Sequence, residues 1–455
     1  MIRLGLLAVL IVFMPNALHF PFETGIPGIN LSNLLVLLAL AAVVLSGRDH
    51  AWTTPTRGML TPALIGLFVA LGLGFVISQL TMPIDIMVDF TYLKNAIFYP
   101  LLYFIYRRCR ADRKSTRHLI MLVLVVAVVA GLEAVREGLD YGITAYKETH
   151  RASGPFGVDY RTANRAGVFY AMFLPMFVAL ALFLRGQRFW RLAAVGACLI
   201  LAMAIMVTFS RQSYLIGILS LSVLLLRRNI LIAALSATVM FASLSLLPDS
   251  VTQRVEETEQ STASGTEELD TSTASRFEIW SGAAVMWQEH PLGVGLNRFK
   301  NHIGYYSRYA GYDAHSFYVL TLAELGPIGF AALLWVLWRL WRLAAHLRAS
   351  AATSHDSEAK ALALGFSVMV VAMAFGNVYG SPFLEGAVMA DFWVLCGLLE
   401  RYAQLTLAGR ELRYVDTILP VEATIGTRFP LAARALPGRY GAERRAPDPG
   451  RAENG

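Results

Sequence analysis

Three polar side chains with the chemistry of group transfer lie within one stretch of the sequence, residues 208–329. Arg211 follows an apolar segment, Arg276 begins a Ser-Arg-x-x-x-Trp segment, and His315 lies in an Ala-His-Ser sequence just before another apolar segment. Guanidinium groups bind phosphate oxygens in a bidentate manner, and a neutral imidazole accepts a proton as a general base. These residue types make both arginines candidates for holding a phosphorylated ligand and make His315 a candidate general base.

Each of these residues also has an ordinary structural explanation. Arg211 stands alone in a very short connection, where an arginine can extend to lipid headgroups. Arg276 could be a solvated residue at a helix start, and His315 could simply bond backbone at the interface. Three further histidines lie in the loops that are predicted below to face the same side of the membrane as His315, so the presence of a histidine does not by itself identify the base. They are His150, His290 and His302.

Further polar residues are predicted to line the same site. Some lead into the apolar segment that begins near residue 163, and others follow a Pro-Leu-Gly-x-Gly turn at 291–295, where aromatic rings lie beside charged donors. They are Arg161, Asn164, Arg165, Arg298, Tyr305 and Tyr306. Helix capping explains Asn164 equally well.

Glu324 follows His315 by nine residues, which on a helix is half a turn out of phase and roughly 13 Å deeper. We therefore expect Glu324 to be a buried structural partner rather than a proton relay. The same interpretation applies to the other charged residues inside apolar segments, Asp89, Lys94, Glu385 and Asp391.

Apolar segments set these side chains at a membrane boundary. A chain of 455 residues with 56% hydrophobic and 16% charged residues is too apolar for a soluble globule, and about twenty apolar residues cross the hydrocarbon core as a helix. We predict an all-α integral membrane protein, in which the first span is interrupted by Pro15 and the last two could form a re-entrant pair. The twelve predicted spans are 2–20, 32–46, 58–79, 88–106, 118–135, 163–184, 190–209, 212–226, 229–248, 316–341, 361–380 and 382–400.

Lysine and arginine accumulate in alternate loops, which predicts that those loops and both termini are cytoplasmic. The loops at 136–162 and 249–315 then lie on the other side, which is the periplasm in a Gram-negative cell. The predicted organisation is a membrane part with nine spans, a large periplasmic loop containing short helices, a second membrane part with three spans, and a tail disordered beyond about Val421. These parts cover residues 1–248, 249–315, 316–400 and 401–455.

Composition argues against several other classes of site. A net charge of +7 could indicate nucleic acid, but the basic residues sit in short loops between spans rather than on one surface. The three cysteines form no short-spaced pair, and the carboxylates of residues 249–270 are scattered, so neither a metal site nor a cofactor is predicted.

The order of these motifs resembles the bacterial O-antigen ligase and O-antigen polymerase superfamily, which are integral-membrane glycosyltransferases. The resemblance covers the whole architecture and is sharpest from Ser210 to Gly329. Its motifs are the Ser-Arg after a span, Arg-x-x-x-Trp, the segment from Pro291 to Phe299, and a closing segment with His315, Glu324, Gly326 and Gly329; Gly154, Phe156 and Asn164 fit an earlier motif. One departure is Ser316, where the family often has asparagine.

The resemblance implies metal-independent transfer of a glycan, with inversion, from an undecaprenyl-diphosphate carrier to an acceptor hydroxyl at the bacterial inner membrane. Arg211 and Arg276 would hold the diphosphate and His315 would deprotonate the acceptor. A ligase would use lipid A core oligosaccharide as the acceptor, whereas a polymerase would join lipid-linked repeat units of O-antigen, capsule or exopolysaccharide. A flippase for lipid-linked oligosaccharides is the rival from another class, but the two halves show no convincing repeat.

Overall fold

The computed structural model of the chain describes residues 2–20, 30–45, 58–142, 147, 149–157, 162–231, 233–235, 238, 259–261, 267–269, 271–353 and 356–418. These residues are mainly helical, with one short antiparallel pair of strands, β1 Glu259–Ser261 and β2 Glu267–Leu269. The α-helices in chain order are α1 Ile2–Phe13, α2 Leu31–Val44, α3 Thr61–Thr81, α4 Ile86–Phe98, α5 Leu101–Arg108, α6 Arg113–Tyr141, α7 Ala163–Phe183, α8 Arg188–Val207, α9 Arg211–Arg228, α10 Thr271–Glu289, α11 Phe299–His302, α12 Phe317–Ala352, α13 Ser357–Gly376 and α14 Gly386–Ile418.

The helical class predicted from the sequence is confirmed, whereas the count of twelve spans is not. Among the described residues, six helices are long and apolar enough to cross a bilayer: α3, α6, α7, α8, α12 and α13. The predicted span at 88–106 is two helices, because Pro100 separates α4 from α5. Most of the predicted span at 229–248 lies outside the described residues.

Side-chain caps fix where several of these helices begin. The Asp112 carboxylate accepts from Ser115 N at 3.0 Å at the start of α6, and Asp356 accepts from Glu358 N at 3.0 Å at the start of α13. Such caps satisfy backbone donors that the first turn of a helix leaves without a partner. The starts of these spans are therefore encoded locally.

The α7 helix lies at the centre of the helical packing. Most of its residues are buried, as expected for a helix that is apolar on all sides, and it packs against α8, α9 and α13. Gly365 of α13 allows this close approach, since a Cβ there would lie 2.9 Å from the Cα of Met176. The start of α7 is thereby held beside the end of α13.

The loops predicted on opposite sides of the membrane lie at opposite ends of the helices. The connections that follow α6 and α8 contact each other, the end of α13 contacts the start of α9, and the connection after α3 contacts Arg298 of the large loop. We call this end of the helices the site end. Basic residues predicted to be cytoplasmic lie at the opposite end, where Arg117 pairs with Glu358 at 2.5 Å and Arg113 with Asp356 at 3.0 Å. The side of the membrane that each end faces remains a prediction.

A buried ionic cluster closes the opposite end. Glu400 is fully buried and accepts from Tyr103 Oη at 2.6 Å, Arg107 Nε at 2.8 Å and Met59 N at 3.1 Å. Each bond compensates part of the cost of burying the carboxylate.

The chain divides into two compact units, residues 1–402 and 403–455, and the predicted tail is helical as far as Ile418. The part predicted to be disordered, beyond about Val421, lies outside the described residues.

Candidate functional site

His315 occupies a strained position immediately before α12. Its backbone φ is +48°, in the left-handed region that residues other than glycine rarely adopt. Ser316 then caps α12 by accepting from Val319 N at 3.5 Å. The strain holds the imidazole outside the helix, half-buried at the site end.

The charges around His315 favour its neutral form. Burial lowers the pKa of His315 below the ordinary imidazole value, and the guanidinium of Arg276 lowers it further. Asp313 acts in the opposite direction, while Lys300 and Arg165 add smaller lowering effects. A neutral imidazole at physiological pH is the form that can accept a proton.

Two aromatic rings connect Arg276 to the backbone next to His315. Its guanidinium carbon lies 5.7 Å from the centre of the Tyr379 ring, within the range of a cation–π contact. Tyr379 in turn packs against Trp280 with ring centres 5.6 Å apart, and Trp280 Nε1 donates to the carbonyl of Ala314 at 2.8 Å. The Arg-x-x-x-Trp motif therefore places a cation and a backbone anchor on the same face of α10.

The buried face of α10 differs from the face that the spacing of its aromatic residues indicates. Phe277, Trp280, Ala284 and Trp287 recur at helical spacing, which would predict that they form the buried apolar stripe. The buried apolar residues are instead Ile279, Ala283 and Met286. Phe277 is half exposed and lies at the edge. The helix is thus rotated so that Trp280 contacts the loop before His315 rather than facing outward.

Arg211 is the first residue of α9. The turn before it has a left-handed backbone at Phe209, with φ +48°, and Ser210 is at the cap position. The next residue, Gln212, donates to the carbonyls of Phe375 and Gly376 at 3.1 and 2.8 Å. The helix that carries Arg211 thus begins directly beside the end of α13.

One turn contacts every element that carries these side chains. We call it the 376–385 turn, from Gly376 to Glu385, and it connects α13 to α14. It contacts α9 through Gln212, α10 through Tyr379, and the start of α12, where Phe317 N donates to the carbonyls of Asn377 and Gly380 at 3.0 and 2.9 Å. Its last residue, Glu385, pairs with Arg165 of α7 at 2.9 Å.

Arg165 and Asn164, which were predicted to line the site, differ in their surroundings. Arg165 is partly exposed and its charge acts on His315, so the two lie in one electrostatic environment. Asn164 is not the helix cap, a position held by Thr162, because its side chain accepts from Arg151 at 2.5 Å. Arg161 lies outside the described residues.

Arg151 is a functional candidate that sequence reasoning missed. It is buried, and its Nε donates to the carbonyl of Thr208 at 3.0 Å while Ala152 N donates to that of Val207 at 3.1 Å. It therefore anchors the turn that precedes Arg211. The sequence gives only a weak signal, an arginine in a loop on the side with few basic residues.

Arg298 is held in a buried ion pair with Asp89. Its Nη1 donates to Asp89 Oδ1 at 2.7 Å, its Nη2 donates to Asp89 Oδ2, and its Nε donates to the carbonyl of Met82 at 2.7 Å. Both side chains are almost fully buried. These contacts give Arg298 a structural role, and its predicted role in substrate binding remains a prediction.

The two predicted tyrosines lie on the surface of the large loop. Tyr305 is 77% exposed with its ring 6.5 Å from that of His302. Tyr306 donates to Glu289 at 2.7 Å, a bond that raises the pKa of Tyr306 to about 12. Tyr306 therefore remains a neutral hydroxyl, and Tyr305 presents an open ring face.

The Pro-Leu-Gly-x-Gly and Glu-x-Gly motifs pack directly against each other. Gly293 and Gly326 both have left-handed φ, and a Cβ on Gly293 would lie 2.4 Å from the carbonyl oxygen of Glu324. Val294 N and Gly295 N donate to the carbonyls of Ala323 and Glu324 at 2.9 and 3.0 Å. Glycine is needed wherever two backbones approach this closely.

The Glu324 side chain has the structural role expected for it. Glu324 is buried and its carboxylate accepts from Phe299 N at 3.1 Å, at the start of α11. Together with the glycine contact, this bond fixes the loop that leads to His315. An apolar cleft lies beside it, lined in part by Tyr92, Phe317 and Phe383. Within the described residues, no group of three or more histidine, cysteine or carboxylate residues is arranged to hold a metal ion.

Residues 196–334 match a protein-family model described as O-antigen ligase. The matched segment runs from α8 into α12 and contains Arg211, Arg276 and His315, while the 376–385 turn lies outside it. No curated protein matches the chain. This segment is therefore similar to the O-antigen ligase family, and it lies in a chain with six helices, among the described residues, that are long and apolar enough to cross a membrane.

Proposed function

We propose that the protein transfers a glycan from an undecaprenyl-diphosphate carrier to an acceptor hydroxyl on the periplasmic side of the inner membrane. The observation that carries this proposal is the convergence of the elements bearing Arg211, Arg276 and His315 on the 376–385 turn. Two guanidinium groups and a neutral imidazole at one end of a membrane bundle suit a diphosphate leaving group and an alcohol nucleophile.

The chemistry follows from the properties of these three side chains. His315 takes the proton of the acceptor hydroxyl as the oxygen attacks the anomeric carbon, and a new glycosidic bond forms with inversion. The bond from that carbon to the diphosphate oxygen breaks, and the leaving diphosphate keeps the electron pair. Arg211 and Arg276 offset the charge that develops on it, and the imidazolium then releases its proton to solvent.

A small apolar cleft lies beside the start of α12. Leu67, Leu71, Leu320 and Phe317 line it, and Phe317 lies two residues after His315. We expect the prenyl chain of the donor to remain on the apolar side of the site, with its diphosphate at the polar end. No residue in this mechanism requires a metal or an organic cofactor.

Substitution in a complemented deletion strain tests the proposal. We expect Arg211→Ala, Arg276→Ala and His315→Ala each to abolish surface glycan while the protein still inserts in the membrane. Arg308→Ala is the matched control, because Arg308 lies in the large loop, is 72% exposed and pairs with Glu278. Normal surface glycan from the three site variants would refute the proposed site.

The acceptor class needs a separate observation. We propose lipid A core oligosaccharide as the acceptor, and polymerisation of lipid-linked repeat units is the alternative. In the deletion strain, loss of O-chains with accumulation of lipid-linked polymer identifies a ligase. Core bearing a single repeat unit identifies an O-antigen polymerase, and unchanged lipopolysaccharide with lost capsule or slime identifies a polymerase for those glycans.

A further inference from the structure

We infer that Tyr379 is a positioning residue, whose ring holds Arg276 in place to grip the diphosphate; this inference rests on the proposed function. Tyr379 lies in the 376–385 turn, outside the segment that matches the family model.

The turn that carries Tyr379 is braced by Asn377. This side chain is buried, donates to the carbonyl of Met373 at 2.9 Å and accepts from Phe383 N at 3.0 Å. The Asn377 carbonyl also accepts from Phe317 N. A turn bonded at both ends and to α12 gives the Tyr379 ring a defined position.

The Tyr379 ring lies between the two side chains of the Arg-x-x-x-Trp motif. One contact is the cation–π contact with Arg276 at 5.7 Å, and the other is the Trp280 ring at 5.6 Å. Trp280 also donates a hydrogen bond to the carbonyl of Ala314, next to His315. The ring therefore couples the position of Arg276 to the backbone that sets the position of His315.

A ring face suits this task better than a carboxylate would. It attracts the guanidinium through its quadrupole and takes up no N–H donor in doing so. A carboxylate at the same place would neutralise the charge that must act on the diphosphate and would compete with it for the same N–H groups. The ring thus orders Arg276 without adding a negative charge beside it.

Binding of undecaprenyl diphosphate to the purified full-length protein in lipid nanodiscs tests this inference. We compare wild type, Arg276→Ala, Tyr379→Phe, Tyr379→Leu and the double variant Arg276→Ala/Tyr379→Leu. Tyr379→Leu should weaken binding roughly three- to tenfold, the range of one cation–π contact, whereas Tyr379→Phe should stay within about twofold because it keeps the ring.

The double variant separates positioning from a general structural effect. If Tyr379 acts through Arg276, Tyr379→Leu adds no further loss in the Arg276→Ala background. The matched control is Tyr312→Leu, an exposed tyrosine of the large loop that packs against Tyr309, and it should bind as wild type does. Should Tyr379→Leu lower the thermal midpoint of the protein, Tyr379→Gln replaces it as the variant without a ring.

The outcomes distinguish this inference from the proposed function. If Arg276→Ala weakens binding but Tyr379→Leu does not, or if the two losses are additive, the role of Tyr379 is refuted and the diphosphate site stands. Equal losses from Tyr379→Phe and Tyr379→Leu would also refute it, because the hydroxyl and not the ring would then matter. If Arg276→Ala binds as tightly as wild type, the diphosphate site fails and the role of Tyr379 fails with it.

Discussion

At the scale of single residues, the chemistry depends on the protonation state of His315. Its half-buried position and the nearby cations Arg276, Lys300 and Arg165 disfavour the imidazolium, and Asp313 favours it. The balance leaves a base that is neutral at physiological pH and that gains a stabilising anion once it is protonated.

This balance predicts opposite pH shifts for two variants. The rate of glycan transfer should rise with pH as His315 loses its proton, because only the neutral imidazole can take the proton of the acceptor hydroxyl. Asp313→Asn removes an anion that favours the imidazolium, so the rise should move to lower pH, whereas Lys300→Met removes a cation and should move it to higher pH. Initial rates of glycan transfer at saturating donor, measured across neutral and mildly acidic pH, check both shifts.

The exposed cation Arg308 provides the control for these profiles. Arg308→Met should leave the pH profile unchanged, because Arg308 is not among the charges that act on His315. Shifts of the same sign in Asp313→Asn and Lys300→Met, or no shift in either, would show that His315 is not the group that titrates.

The Arg298–Asp89 pair leads to a prediction about stability. Asp89→Ala leaves a buried guanidinium without its carboxylate and should cost about 3–5 kcal/mol. The double variant Asp89→Ala/Arg298→Met should recover much of that loss, as measured by thermal unfolding of the purified chain in detergent. A double variant that is stable but has lost affinity for the donor would instead support the predicted role of Arg298 in substrate binding.

The candidate site residues could be chosen from the sequence, but the residues that position them could not. Arg211 stands out because it breaks the pattern of basic loops, and His315 because it precedes a span. Tyr379 and Arg151 act through partners about one hundred and about sixty residues away. Such long-range contacts have no local pattern, so only the folded chain reveals them.

At the scale of elements, the contact between the two glycine motifs supports the loop that leads to His315. Gly293→Ala should lower the thermal midpoint more than Gly311→Ala does. Both glycines have a left-handed φ, so both substitutions add backbone strain on the order of 1 kcal/mol. Only Gly293 has a carbonyl oxygen 2.4 Å from the added Cβ, whereas Gly311 has nothing within 4 Å. Equal effects would show that this contact is not tight in solution.

The positions of helices such as α7 and α8 could be predicted from apolar length, but the orientation of α10 could not. Its sequence offers two overlapping apolar stripes, one with Trp280 and one with Ile279, Ala283 and Met286. Tertiary packing selects the second and sets Trp280 against the carbonyl of Ala314. A pattern of hydrophobic spacing cannot choose between stripes of similar strength.

At the scale of the whole molecule, the grouping of loops at two ends predicts which residues are reached from each side. In a background lacking Cys109, Cys198 and Cys396, Tyr305→Cys should react with a membrane-impermeant maleimide in cells with a permeabilised outer membrane. Arg110→Cys, at the opposite end, should react only after the inner membrane is disrupted. Both residues are exposed, so access and not burial decides labelling. The reverse pattern would invert the predicted topology.

The most direct measurement is glycan transfer by the purified protein in nanodiscs, with lipid-linked glycan from the deletion strain as donor and EDTA present. Wild type should form the glycosylated acceptor and release undecaprenyl diphosphate, while His315→Gln should bind that lipid normally and lose at least about 100-fold in rate, as expected for removal of a general base. Arg211→Ala and Arg276→Ala should lose both binding and rate. Transfer at the wild-type rate by His315→Gln, or movement of the lipid-linked glycan without any new glycosidic bond, would contradict the proposed chemistry.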